Sequence, residues 1–196
     1  MLQSLIKADR SVFRFINQEW THPFLDAILP FFRNPFFWSP VYLFLLLFVG
    51  INFPKKLLWW ALFFLITFAL TDSISTRIFK ELFERARPCW DGITASSARM
   101  LIPCSHSFGF VSSHAANHFG MSTFIFFTMR HLTGRWLQLV FVWAFLVCYA
   151  QVYSGAHFPL DVLCGGLLGF LIGRYMAALF QKRKQGLLHN VNLPLQ

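Results

Sequence analysis

Apolar residues along the chain fall into five long blocks separated by short polar stretches: Phe36–Phe53, Leu57–Ile74, Ala115–Met129, Trp136–Tyr153 and Phe158–Phe180. A hydrocarbon core of about 30 Å takes roughly 20 helical residues to cross, and polar positions facing a site can interrupt such a run. No segment shows the alternation over about ten residues that a transmembrane strand needs. Lipid offers backbone polar groups no partner outside a helix or a closed barrel. The pattern therefore predicts an all-α integral membrane helical bundle of about five transmembrane helices.

The first thirty-five residues follow a different rule. Leu2, Leu5, Ile6, Val12, Phe13 and Ile16 interleave with Lys7, Asp9, Arg10 and Arg14, a mixture too charged to span but suited to a helix on the membrane surface. Pro23–Phe32 is a second apolar stretch, short, bounded by proline and Arg33 and carrying Asp26; it predicts a re-entrant or packing helix. The charged, apolar and small-residue order of a cleaved leader does not occur here. Residues 36–180 then form the membrane bundle, and 181–196 a polar tail opening on Lys182-Arg183-Lys184, all in one domain.

Composition agrees with this solvent assignment. With 56% hydrophobic residues, 26 Phe and only 13% charged residues, the chain is too apolar for an ordinary soluble domain. Its net charge of +9 suits anionic membrane lipids and gives no ground for a nucleic-acid partner. Threading five spans puts Lys55-Lys56, Arg130, Arg135 and Lys182-Arg183-Lys184 on one side, which the positive-inside bias makes cytoplasmic. The loop Lys80–Val111 and the turn Ser154–His157 then share the opposite, outer face of the membrane.

Three clusters on that face carry the chemistry. If the second span stays helical to its breaker Pro88, Lys80 and Arg87 stand two turns apart on one face, a point charge and a planar fork able to share one phosphate. Alone, the same pair reads as cations snorkelling to headgroups. Ser112 is a candidate N-cap that turns the first amides of the next helix, with Ser113, toward an anion, and His114 sits on that first turn. His157 and Asp161 flank Pro159, so a carboxylate one turn on can hold one imidazole nitrogen and leave the other free to attack. His118, at i+4 from His114, invites a zinc site, but Ala115, Ala116 and Asn117 lie between them and the glutamate of the zinc-protease helix is missing, which favours a packing role.

Lys80-x6-Arg87-Pro88, then Phe108-Gly109-Phe110-Val111-Ser112-Ser113-His114, then Val152-Tyr153-Ser154-Gly155-Ala156-His157-Phe158-Pro159-Leu160-Asp161 resemble, in order and spacing, the three motifs of the type 2 phosphatidic acid phosphatase superfamily. The resemblance implies a metal-independent phosphatase without a cofactor. It makes His157 the nucleophile, Asp161 its orienting acid and His114 the general acid and then base, with Lys80, Arg87 and Ser112 on the phosphate. It also implies a small bacterial inner-membrane protein with its site on the periplasmic or outer face, and a lipid phosphate substrate of the undecaprenyl diphosphate, phosphatidylglycerol phosphate, phosphatidate or lipid A class, polyprenyl diphosphate being the first choice because an outward-facing site suits carrier recycling. A lipid phosphotransferase, or a catalytically idle lipid-binding protein, is the alternative. Two departures stand out. Ser113 replaces the glycine usual in the second motif, and Ala150-Gln151 replaces the Ser-Arg that usually opens the third. Gln151 can donate a hydrogen bond to phosphate but brings no charge. Either Arg85 or another cation compensates, or the substrate needs no third charge, or activity is low.

Of the four cysteines, Cys148 and Cys164 lie in spans as small packing residues. Cys89 and Cys104 share the long loop; in an oxidising compartment a bond between them closes about fifteen residues, and otherwise they remain thiols.

Overall fold

A computed structural model of the chain describes residues 2–133 and 137–182. Arg135 and the tail beyond Lys182 lie outside the described residues. The elements are helical throughout: α1 (Leu2–Arg14), α2 (Pro23–Phe32), α3 (Ser39–Asn52), α4 (Pro54–Ser73), α5 (Lys80–Phe83), α6 (Ser113–Thr133), α7 (Leu139–Tyr153) and α8 (Pro159–Phe180). A π-helical stretch, Ile74–Phe79, joins α4 to α5 in one continuous rod.

Among the described residues, three helical rods are long and apolar enough to cross a membrane: Pro35–Asn52, Pro54–Phe83 and Pro159–Phe180. The other two expected spans differ from these in kind. Helix α6 has the length, at 21 residues, but carries polar side chains turned into the protein, and α7 is apolar but only 15 residues long. For α6 the reason is packing. Thr71 of α4 donates to Asn117 of α6 at 2.7 Å, Asn117 reaches Asp72 at 3.0 Å, and the Trp60 indole donates to Thr128 at 3.0 Å. Such cross-helix bonds tie spans together where lipid supplies no hydrophobic drive between them.

Helices α6 and α8 approach closest, through glycine. A Cβ on Gly169 of α8 would stand 2.1 Å from the Ala116 carbonyl oxygen, one on Gly173 2.3 Å from that of Gly120, and one on Gly165 2.5 Å from that of Ser112. These three glycines recur every fourth residue and so form one face, laid on the opening turns of α6. At the far end, Trp60, Phe63, Phe124, Ile125, Met129, Trp143 and Phe180 fill the core.

Helix α2 forms with the bounds read from sequence; Pro23 opens it, and the His22 Nδ1 accepts the Phe24 amide at 3.1 Å as its cap. Helix α1 departs from a purely interfacial role. Asp9 and Phe13, with Asn17 in the turn that follows, are buried one turn apart, while Leu5, Val12 and Phe15 face outward. Asn17 locks this end to the rest: its amide donates to the Arg99 and Tyr153 carbonyls, both at 2.8 Å. The long segment 84–112 lacks regular structure and folds over the bundle mouth. A Cys89–Cys104 disulfide pins it, with Cα atoms 6.2 Å apart, and Arg99 pairs with Asp26 of α2 at 2.7 Å.

Candidate active site

The opening of α8 sets the centre of the site. Pro159 fixes the first helical turn, and Asp161 turns one carboxylate oxygen back to accept the Phe158 amide at 3.0 Å. The chain reaches this point through Gly155 at φ 83°, where a side chain would also meet the Arg99 carbonyl oxygen at 2.8 Å. This turn delivers His157 to the interior, where it is buried.

Two contacts define the His157 ring. Its Nε2 lies 3.1 Å from Arg87 Nη1, and its Nδ1 lies 3.5 Å from Asp161 Oδ2. A guanidinium only donates, so Nε2 is the acceptor and the ring proton belongs on Nδ1, toward the carboxylate. At 3.5 Å this second contact is too long for a well-formed hydrogen bond, and it acts as a charge placed beside the N–H. Burial pushes the imidazole down to about 4, so it is neutral at physiological pH. A neutral ring with an in-plane lone pair aimed at a cation is a nucleophile facing an anion site.

Arg87 does not share a helical face with Lys80, contrary to the two-turn spacing expected. The helix stops at Phe83 because Glu84 adopts a left-handed conformation at φ 43°, and the chain then turns away before Pro88 is reached. The two cations still meet, because Arg87 comes back from the loop. Its Nε and Nη2 donate to the carbonyl and hydroxyl of Ser107 at 2.7 and 2.9 Å, and its Nη1 donates to the Ala156 carbonyl at 3.1 Å. Lys80 is buried at the start of α5, within Coulombic range of Arg87 and Asp161.

Ser112 caps α6 as its sequence suggests, its hydroxyl accepting the Ala115 amide at 3.4 Å. Its own amide donates to the Asp161 carbonyl oxygen at 2.9 Å, which brings the starts of α6 and α8 together. The Ser113 hydroxyl is buried with no hydrogen-bond partner among the described residues. His114 is partly buried, within Coulombic range of His157, Lys80 and Arg33. His118 holds the His114 carbonyl oxygen through Nδ1 at 2.8 Å and packs edge-on against Trp143. Among the described residues, no group of three His, Cys, Asp or Glu side chains converges on a metal position.

Three residues of this neighbourhood are not singled out as a site by spacing. Arg85 donates to Asp161 Oδ1 at 2.6 Å and to Asp9, while Asp9 also accepts the Leu160 amide at 2.8 Å. Arg85 is thus committed to two carboxylates and is not the substitute for the missing third-motif arginine. Arg33, just past α2, donates through Nε to the Gln151 side-chain oxygen at 2.9 Å. The buried stripe Asp9–Phe13–Asn17 is the one available signal for Asp9: an acid in register with a core phenylalanine asks for a buried partner.

A sequence profile described as the PAP2 superfamily matches residues 56–185, well over half of the chain. The chain belongs to the PAP2 superfamily. It is 30% identical over 176 residues to a lipid A 4'-phosphatase of Bacteroides thetaiotaomicron, covering 86% of this chain and 75% of that protein. It is 29% identical to phosphatidylglycerophosphatase B of Bacillus subtilis, covering 87% and 81% respectively. The crystal structure of a transmembrane PAP2-type phosphatidylglycerolphosphate phosphatase from Bacillus subtilis superposes with a TM-score of 0.68 at 26% identity, covering 92% of this chain and 87% of that one. This PAP2 chain is accordingly a phosphatase of the membrane-embedded type, and its all-helical architecture is the one the hydropathy pattern predicts.

Proposed function

We propose that the protein removes the phosphate group from a lipid phosphate monoester by way of a phosphohistidine at His157. The observation that carries this reading is the His157 Nε2 lone pair facing Arg87 Nη1 at 3.1 Å, with the ring proton turned toward Asp161. Phosphate enters between them, and Arg87 moves from the imidazole to a phosphate oxygen. Nε2 attacks phosphorus, the bond from phosphorus to the lipid oxygen breaks, and His114, entering the cycle as the imidazolium, gives its proton to that departing oxygen. His114 then takes a proton from water as the water oxygen attacks the phosphohistidine. Inorganic phosphate leaves, and both histidines return to their starting state. Lys80, Arg87, Ser112 and Ser113 hold the phosphoryl oxygens while charge develops on them, and Gln151 lines the same phosphate-binding site.

The substrate class follows from the entry route and the relatives. The motifs gather at one end of the bundle, where a phosphate at headgroup depth meets them. The two relatives named above act on a phosphate carried by lipid A and by phosphatidylglycerol, which favours a monoester of that kind over a polyprenyl diphosphate. Residues 36–180 serve as the catalytic bundle, with α3, α4, α6, α7 and α8 as its five spans. The site faces the periplasm across the inner membrane; the Cys89–Cys104 disulfide in the loop over the site supports an oxidising compartment on that side.

Phosphate release by detergent-solubilised protein tests this reading, measured on lipid A, phosphatidylglycerol phosphate, phosphatidate and undecaprenyl diphosphate with and without chelator. Release from a monoester, indifferent to chelator and lost in His157→Ala and His114→Ala, is the expected result. No release from any of the four lipids sinks the enzyme reading and leaves a lipid-binding protein. Transfer of phosphate to an added lipid in place of water converts it to a phosphotransferase.

A further inference from the structure

The charges around His157 do not balance. Lys80 and Arg87 act on it, and Arg33 acts on Arg87 and on His114; the nearest carboxylate, Asp161, is already engaged by Arg85, and Asp72 offsets Lys80. Asp9, the other buried acid, is held by Arg85 and the Leu160 amide. Arg33 is the unexplained member. It sits outside the motif region, partly buried at the end of an apolar helix, and among the described residues no carboxylate pairs with it. Its one side-chain hydrogen bond in that set is from Nε to Gln151 Oε1. Burial, and after it the charge of Arg87, lower its pKa to about 10, so it remains a cation at neutral pH. Like charges held together in a half-dry pocket are unfavourable until an anion joins them.

Gln151 explains how Arg33 comes to be there. Gln151 is fully buried, and its main-chain carbonyl accepts the amides of Ala156 and His157 at 2.9 and 3.3 Å, so its place relative to the nucleophile is fixed by the turn itself. Its side-chain oxygen takes the Arg33 Nε, which leaves both Nη groups of the guanidinium free of Gln151, and its own Nε2 is buried without a partner among the described residues. A neutral amide suits this role, because it orients a guanidinium without cancelling its charge. The position six residues before His157, where the resemblance leads one to expect arginine, thus borrows its cation from a different helix.

We propose that Arg33 is the third phosphate-binding cation of the site and that Gln151 is the residue that positions it. This rests on the phosphatase reading for its turnover test, but the anion site is testable apart from it. Arg33 acts as the contact to a phosphoryl oxygen; Gln151 acts through Arg33.

The test uses the full chain in detergent, with kcat/KM on a lipid phosphate monoester, competitive inhibition by orthophosphate, and thermal stability as readouts. Arg33→Gln should lower kcat/KM by about 10²–10³-fold, the usual effect of losing one transition-state donor, and weaken orthophosphate inhibition, with melting unchanged. Arg33→Lys should recover part of the loss. Gln151→Glu should leave melting equal or higher, because it gains an ion pair with Arg33, yet lower activity at least about tenfold by neutralising the cation. Arg33→Ala with Gln151→Arg should regain at least about tenfold over Arg33→Ala alone, as the charge returns by the shorter route. Wild-type kcat/KM and orthophosphate inhibition in Arg33→Gln, or full activity in Gln151→Glu, overturns the proposal. Should the native protein turn over no lipid, the phosphatase reading fails first, and orthophosphate-induced thermal stabilisation decides Arg33 alone: equal shifts in the native and Arg33→Gln proteins overturn it.

Discussion

Arg85 bridges Asp9 of α1 and Asp161 of α8, reaching the second through Nη1 at 2.6 Å. The carboxylate beside the candidate nucleophile is thereby tied to the N-terminal helix, although 76 residues separate Arg85 from Asp161. Both acids are almost wholly enclosed, with side-chain exposures of 1% and 0%, and the single guanidinium is the cation they share.

Removing that guanidinium should be costly in stability. Arg85→Ala leaves two buried carboxylates with only amide donors, and breaking such a pair costs about 3–5 kcal/mol. Thermal melting in detergent should fall sharply. Asp9→Asn, which keeps an acceptor for the Leu160 amide and leaves Arg85 to Asp161, should melt closer to the native protein and retain most activity. Equal melting of native and Arg85→Ala proteins would contradict the bridge.

A second prediction concerns the seam between α6 and α8. Gly169→Ala places a methyl group 2.1 Å from the Ala116 carbonyl oxygen, a distance that forces the helices apart. Overpacking of this kind costs about 1–3 kcal/mol, and here it also separates the start of α6, with His114, from the start of α8, with Asp161. Stability and turnover should fall together. Gly92→Ala, with nothing within 4 Å of the new methyl, serves as the silent control.

The third prediction follows Arg87 into its loop. Ser107 holds the guanidinium through two bonds, and Ser107 stands three residues from the bridged Cys104. Reduction of the disulfide, or Cys89→Ser with Cys104→Ser, should destabilise the protein by up to roughly 3 kcal/mol and raise KM more than it lowers kcat, because phosphate binding depends on a loop that is now looser. Ser107→Ala in the oxidised protein should reproduce the KM effect without the loss of stability. A reduced protein with unaltered KM would separate the disulfide from the site.

How much of this site the sequence reveals depends on how far each residue reaches for its partner. Ser112, His114, Pro159 and Asp161 are legible because each acts within one turn of a helix start, where capping preference and i,i+4 spacing are local rules. The two-turn spacing of Lys80 and Arg87 misleads for an equally local reason. A left-handed Glu84 ends the helix, and a non-glycine residue in that conformation leaves no sequence signal. Arg33, Arg85 and Asp9 are hidden because their partners lie in other elements: a charge on α1 or after α2 reads as interfacial until the fold shows it turned inward. Among the described residues the five apolar blocks appear as helices, yet α6 departs in polarity, because its polar side chains bond to neighbouring helices, and α7 departs in length, at 15 residues.

The most direct measurement is the chemical trapping of the intermediate. The purified protein is mixed with lipid A carrying a radiolabelled phosphate and quenched in alkali, where a phosphohistidine survives and an acyl phosphate does not. Nucleophilic attack by His157 predicts a protein-bound label that is stable in alkali, labile in acid and absent from His157→Ala. In Asp161→Asn it should form more slowly but still on His157. A protein that releases phosphate at full rate after His157→Ala, or a label that is lost in alkali, would contradict nucleophilic attack by His157.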